Sequence, residues 1–159
     1  MPDILRSLDG VYQFRYAEYW AEGKQACWVM SNPSRGVPRT NPTRRRVRAF
    51  TEAWGFGSFV TVNLHPYRAD TPQELLDAEY PACNDAFLRL AVSGSDLVIA
   101  AWGAHPSAQP ERVTGITDDL WCLGATRNGS PLHPLYVPAG SQLVSWPGNN
   151  PHPKLFTRM

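Results

Sequence analysis

Three stretches of this chain, QACWVM (25–30), SFVTVNL (58–64) and DLVIAAWG (96–103), place apolar residues at successive positions rather than only at every second one. A strand with one face in water alternates apolar and polar side chains, so runs of this kind belong to strands covered on both faces. Helical patterns lie between them. After Thr43, a candidate N-cap, Val47, Phe50 and Trp54 recur at i, i+3 and i+7, with Gly55 or Gly57 as the stop. Asn84-Asp85 leads into an apolar-periodic run through Phe87, Leu88, Leu90 and Ala91. A third helix is expected from Pro110 through Trp121 to Gly124, and Leu132–Val137 reads as a short strand or extended edge. VYQFRYAEYW (11–20) alternates aromatic and polar side chains, and Glu22-Gly23-Lys24 is expected to turn it into an antiparallel hairpin with QACWVM. The pattern predicts an α/β fold, a three-layer sandwich with a mostly parallel central sheet plus an N-terminal antiparallel hairpin, residues 1–159 forming one domain.

With 159 residues, 43% of them apolar, the chain is long enough to bury such a core without a disulfide or metal staple. Cys27, Cys83 and Cys122 are far apart and lack zinc or CxxC spacing. P-loop, GxGxxG, HExxH and GxSxG motifs are all missing, so no metal or cofactor is expected and a serine hydrolase is disfavoured. The absence of a long apolar window and of a secretion-type start points to the cytoplasm, with no membrane partner.

Fifteen Lys and Arg against fourteen Asp and Glu leave a net charge of +1, which excludes a globally basic nucleic-acid binder. The distribution is uneven. Arg35, Arg39, Arg44, Arg45, Arg46, Arg48 and Arg68 fall in a zone where the only carboxylate before Asp70 is Glu52. Guanidinium groups suit phosphate, so this zone reads either as a phosphate-contact segment or as a solvated helix face.

Each apolar strand ends abruptly in polar chemistry: Asn32-Pro33-Ser34, Asn63-Leu64-His65 and Trp102-Gly103-Ala104-His105, with His133 and Tyr136 following later. In parallel sheets ligands bind beyond the carboxyl ends of the strands, so these groups are expected to converge. An Asn amide offers both a donor and an acceptor, the pairing that reads a base edge; it also turns chains before proline. His133 suits proton transfer or oxyanion stabilisation, or a buried ring packed on Pro134.

NPS after the first apolar strand, then NPTRRR, VNLHPYRA, ND, AAWG and GSPLHPLY, cover nearly the whole chain and resemble the bacterial DUF1643 family. Asn41 and His65 depart from that family's usual Asp and Phe. The same order is remotely similar to the uracil-DNA glycosylase superfamily, matched here by Asn32-Pro33, Asn63, the apolar-Trp-Gly of AAWG and His133-Pro134. This second resemblance implies a glycosylase-like fold and cleavage of the N-glycosidic bond of a nucleobase flipped out of duplex or single-stranded DNA. It implies that Asn32 positions the water, that Asn63 reads the base, with Tyr67, Trp102, Tyr136 and Ser34 around it, and that His133 stabilises the leaving group. Asp85 is the expected acidic base. Arg35, Arg39, Arg44, Arg45, Arg48 and Arg68 would hold phosphates. The departures around the pocket point to a modified base, of phage or other foreign DNA, rather than uracil. Two other readings stay open: a non-catalytic nucleic-acid or nucleotide-binding module, and a hydrolase of a free nucleoside or nucleotide.

Overall fold

The computed structural model describes residues 2–34 and 41–147. β3 (Gln25–Met30), β4 (Ser58–Asn63) and β5 (Leu97–Ala100) are the three apolar runs, and apart from Gln25 every residue in them is buried. They lie side by side in the order β4-β3-β5, all parallel, with Trp28 opposite Thr61 on one side and Ile99 on the other. β6 (Leu120–Cys122) extends this parallel set beyond β5.

Strands with a different pattern occupy the flanks. β1 (Asp3–Arg6) and β2 (Gln13–Tyr19) form an antiparallel hairpin whose second strand pairs antiparallel with β4, and β7 (Val144–Trp146) runs antiparallel to β6. The result is a seven-stranded mixed sheet, β1-β2-β4-β3-β5-β6-β7, parallel only in its centre. The expectation of a mostly parallel sheet is corrected accordingly: three neighbour pairings are parallel and three antiparallel.

The expected hairpin between residues 11–20 and QACWVM does not form, because β4 lies between the two strands. The intervening segment instead crosses the amino end of β4 at Gly57, whose carbonyl accepts from Trp20 N (3.0 Å) and Ala21 N (3.2 Å) and whose N–H donates to Lys24 O (3.0 Å). A Cβ at Gly57 would lie 2.3 Å from Ala21 O, so glycine is what lets the two backbones cross.

Helices cover both faces, as buried parallel strands require. α1 (Pro42–Ala53) packs Val47 and Phe50 on one face with Trp28, whose indole N–H donates to Thr51 Oγ1 (3.1 Å). α3 (Asn84–Ser93) and the single-turn α4 (Glu111–Thr114) cover the opposite face through Leu88, Ala91, Val92 and Val113. α2 (Pro72–Asp77) is a short helix capped by Thr71. Three local expectations are corrected. The cap of α1 is Asn41, which accepts from Arg44 N, and not Thr43, because Pro42 takes the first helical position. The helix expected over 110–121 stops at Thr114, and Trp121 lies on β6. Leu132–Val137 contains a 3-10 turn, Pro134–Tyr136, rather than a strand. Among the described residues no helix is long and apolar enough to cross a membrane.

Candidate functional site

Parallel pairing continues past the carboxyl ends of β3 and β4: Leu64 N donates to Met30 O (2.9 Å) and His65 N to Ser31 O (3.0 Å). The two polar strand ends are therefore held beside each other. The Asn32 amide nitrogen donates to Pro33 O (3.2 Å) and Ala69 O (3.1 Å), which leaves its Oδ1 as an acceptor. Asn63 is 3% exposed. Its backbone carbonyl accepts from Asn84 Nδ2 (2.9 Å), while its side-chain amide has no hydrogen bond among the described residues.

His133 reaches the same place from the far end of the chain. The 3-10 turn that follows it is tied to α1 by the Arg46 guanidinium, which donates to Pro134 O (3.1 Å) and to Val137 O. Nδ1 of His133 accepts from Leu135 N (3.2 Å), so the ring proton resides on Nε2. Burial pushes its pKa below the ordinary histidine value, and the imidazole is a neutral donor at neutral pH. Gly103 passes beneath it at φ +74°, and a Cβ there would stand 3.4 Å from His133 Cβ. Tyr136 is 81% exposed, its ring 5.6 Å from that of His133.

The amino end of α1 closes the third side. Asn41 Nδ2 donates to Ser34 Oγ (2.9 Å), fastening the β3 exit to the helix cap. Asp caps a helix as well as Asn does. Arg44, one turn on, is buried with its guanidinium 3.8 Å above the Tyr16 ring. Together these groups line one cavity of about 460 Å³ containing Asn32, Ser34, Arg44, Asn63, His133 and Tyr136.

Other expected residues lie elsewhere. Trp102 is a core residue, 3% exposed and edge-on to Trp146 at 5.0 Å. Tyr67 packs edge-on against Tyr12 (5.8 Å) and lines a different groove with Arg68. Asp85 is on α3, accepting from Tyr80 Oη (2.7 Å) and Arg112 (3.4 Å), and does not line the cavity. His65 lines a second cavity, of about 300 Å³, with Tyr80 and Arg112. The arginines divide too. Arg48 is paired with Glu18 and Glu52 and lies 3.9 Å over Trp20, Arg68 donates to Gly10 O (3.0 Å), and Arg45 is exposed. Arg35 and Arg39 lie outside the described residues.

Gln13, Thr61 and Asp70 line the cavity without having been singled out from the sequence. Gln13 shares the phase of Arg15 in an alternating strand, so its burial carries no mark in the sequence. Asp70 carries no such mark, yet it is the one carboxylate among the described lining residues.

A family model described as a protein of unknown function, DUF1643, matches residues 14–135. The chain belongs to the DUF1643 family. The DUF1643 match runs from β2 into the 3-10 turn and so includes Asn32, Arg44, Asn63, Asp70 and His133. No curated protein and no solved structure matches this DUF1643 chain.

Proposed function

We propose that this DUF1643 protein hydrolyses the N-glycosidic bond of a nucleobase extruded from DNA, with a modified base as the substrate. The observation that carries the reading is Asn63: a buried residue at a strand end, lining a cavity, with the donor and the acceptor of its amide uncommitted among the described residues. An amide carries a donor beside an acceptor, and a base edge supplies the complementary pair. The order of the strand-end motifs, which remotely resembles that of uracil-DNA glycosylases, points the same way.

In this reading Asn32 Oδ1 accepts a hydrogen bond from the attacking water. The water oxygen bonds to the anomeric carbon as the carbon–nitrogen bond breaks, its electron pair leaving with the base. His133 Nε2–H donates to the charge that develops there. Asp70 takes the place expected for Asp85 as acceptor of the water proton. Tyr136, exposed at the mouth, offers a stacking face.

The test is incubation with unmodified and base-modified DNA, duplex and single-stranded, followed by cleavage at abasic sites. Strand breaks are expected with the natural chain and not with His133→Ala or Asn32→Ala. Intact DNA across a panel of base modifications sinks the proposal. A second reading, hydrolysis or binding of a free nucleotide, is favoured by the fate of three arginines: Arg46, Arg48 and Arg68 are spent on internal partners, which withdraws them from a duplex backbone.

A further inference from the structure

Taking a guanidinium out of water is costly unless an anion or several acceptors receive it. Arg44 is 7% exposed, and its Nη1 is enclosed with no hydrogen-bond partner. Among the described residues it makes no ion pair, and the side chain closest to it is that of Tyr16. The Tyr16 ring, 3.8 Å below, orients the plane without neutralising it. Its charged surroundings do not compensate. Arg6 and Arg68 are of like sign, and the nearby carboxylate of Glu18 is already engaged by Tyr16 Oη (2.9 Å) and Arg48 (3.2 Å). Asp70 lies at the exposed rim of the cavity.

Arg44 also belongs to the first turn of α1, a 12-residue helix with no acidic side chain in that turn. Asn41 and Thr43, from the same end, line the same cavity, where the helix dipole adds positive potential. At about 460 Å³ the cavity is larger than a bare base needs and lies within the range of sites for small organic ligands.

We infer that the cavity binds a nucleotide rather than a base alone, with a phosphate group received by Arg44 at the amino end of α1 while the base edge meets Asn63 and His133. The base end of this assignment rests on the function proposed above; the anion subsite rests on Arg44 itself. An unpaired buried cation weakens the empty protein, so its removal should not.

The decisive experiment uses the full chain, with calorimetry and thermal unfolding at matched ionic strength. Probes are inorganic phosphate, the four deoxynucleosides, their 5′-monophosphates and a short single-stranded oligonucleotide. A monophosphate is expected to bind about tenfold or more tightly than its nucleoside, the scale of a charge-assisted hydrogen bond. That difference is expected to vanish in Arg44→Met, whose melting temperature without phosphate is equal to or above that of the natural chain, and to be partly kept in Arg44→Lys. An oligonucleotide that outcompetes the monophosphate assigns the phosphate to a nucleic-acid chain; the reverse assigns it to a free nucleotide. Saturable phosphate binding without nucleoside binding or base release supports the subsite and removes the nucleobase reading. Equal affinity for nucleoside and monophosphate in the natural chain overturns the inference whether or not the variants fold, as does a difference that survives in Arg44→Met.

Discussion

Asn63 and Asn84, 21 residues apart, are two buried amides with opposite duties. Asn84 spends its nitrogen on Asn63 O (2.9 Å) and Tyr80 Oη (3.0 Å), whereas the side chain of Asn63 has no hydrogen bond among the described residues. Asn63→Ala is therefore expected to alter stability by about 1 kcal/mol or less, no native hydrogen bond being lost, while nucleobase binding falls about tenfold or more. Urea unfolding and calorimetry on the same sample check both halves, and a large loss of stability would show the amide to be structural. Gly103 makes the complementary case. Its φ of +74° and the 3.4 Å approach to His133 predict that Gly103→Ala costs about 1–2 kcal/mol and shifts the His133 ring resonances in the NMR spectrum. Asn63 was legible as a strand-end polar residue, and Gly103 as part of a strand end. That Asn63 is free, while Asn84 is bound, was not, since the two amides are alike until the backbone brings partners to one of them.

Among the elements, those whose burial follows from a local pattern were readable and those set by partners were not. β3, β4 and β5 match their apolar runs, and α1 and α3 match their periodicity. The 11–20 strand was recognised from its alternation, yet its neighbours were misjudged: a short turn after a strand favours pairing with the next one, but the completely buried β4 competes for both β2 and β3 and takes the place between them. Residues 115–121 failed as a helix because β6 completes the sheet beside β5, a tertiary gain that no local propensity encodes. The joint between α3 and β4 yields an element-scale prediction. Asn84→Ala takes the donor away from the Asn63 carbonyl and from the Tyr80 hydroxyl, which keeps its own bond to Asp85, so a loss of about 1–3 kcal/mol is expected. Faster hydrogen exchange localised to the amides at the end of β4 would mark the pin; uniform exchange would deny it.

At the scale of the molecule, acid should weaken the fold. Burial lowers the pKa values of His65, His105 and His133 from the ordinary 6.5, with Arg112 adding to the effect at His65. Such groups bind protons more readily in the unfolded chain, so their contribution is intact above the unfolded value and lost as pH falls through the folded values. Asp9, lowered chiefly by its hydrogen bond from Ser7, acts with the same sign at more acidic pH. The melting temperature should therefore decline steadily from pH 7.5 to pH 5, and a rise on acidification would contradict this account. The whole-molecule view also separates two kinds of information. Sequence by itself determined the α/β class, the central buried strands and the polar residues at their ends, because periodicity and composition are local records of burial. Tertiary structure alone decided the strand order, the placement of Trp102, Tyr67 and Asp85 away from the cavity, the arrival of Asp70 in it, and the isolation of Arg44. Those outcomes depend on which backbones lie adjacent and which charges are left without partners, and distances between remote segments exist only once the chain has folded.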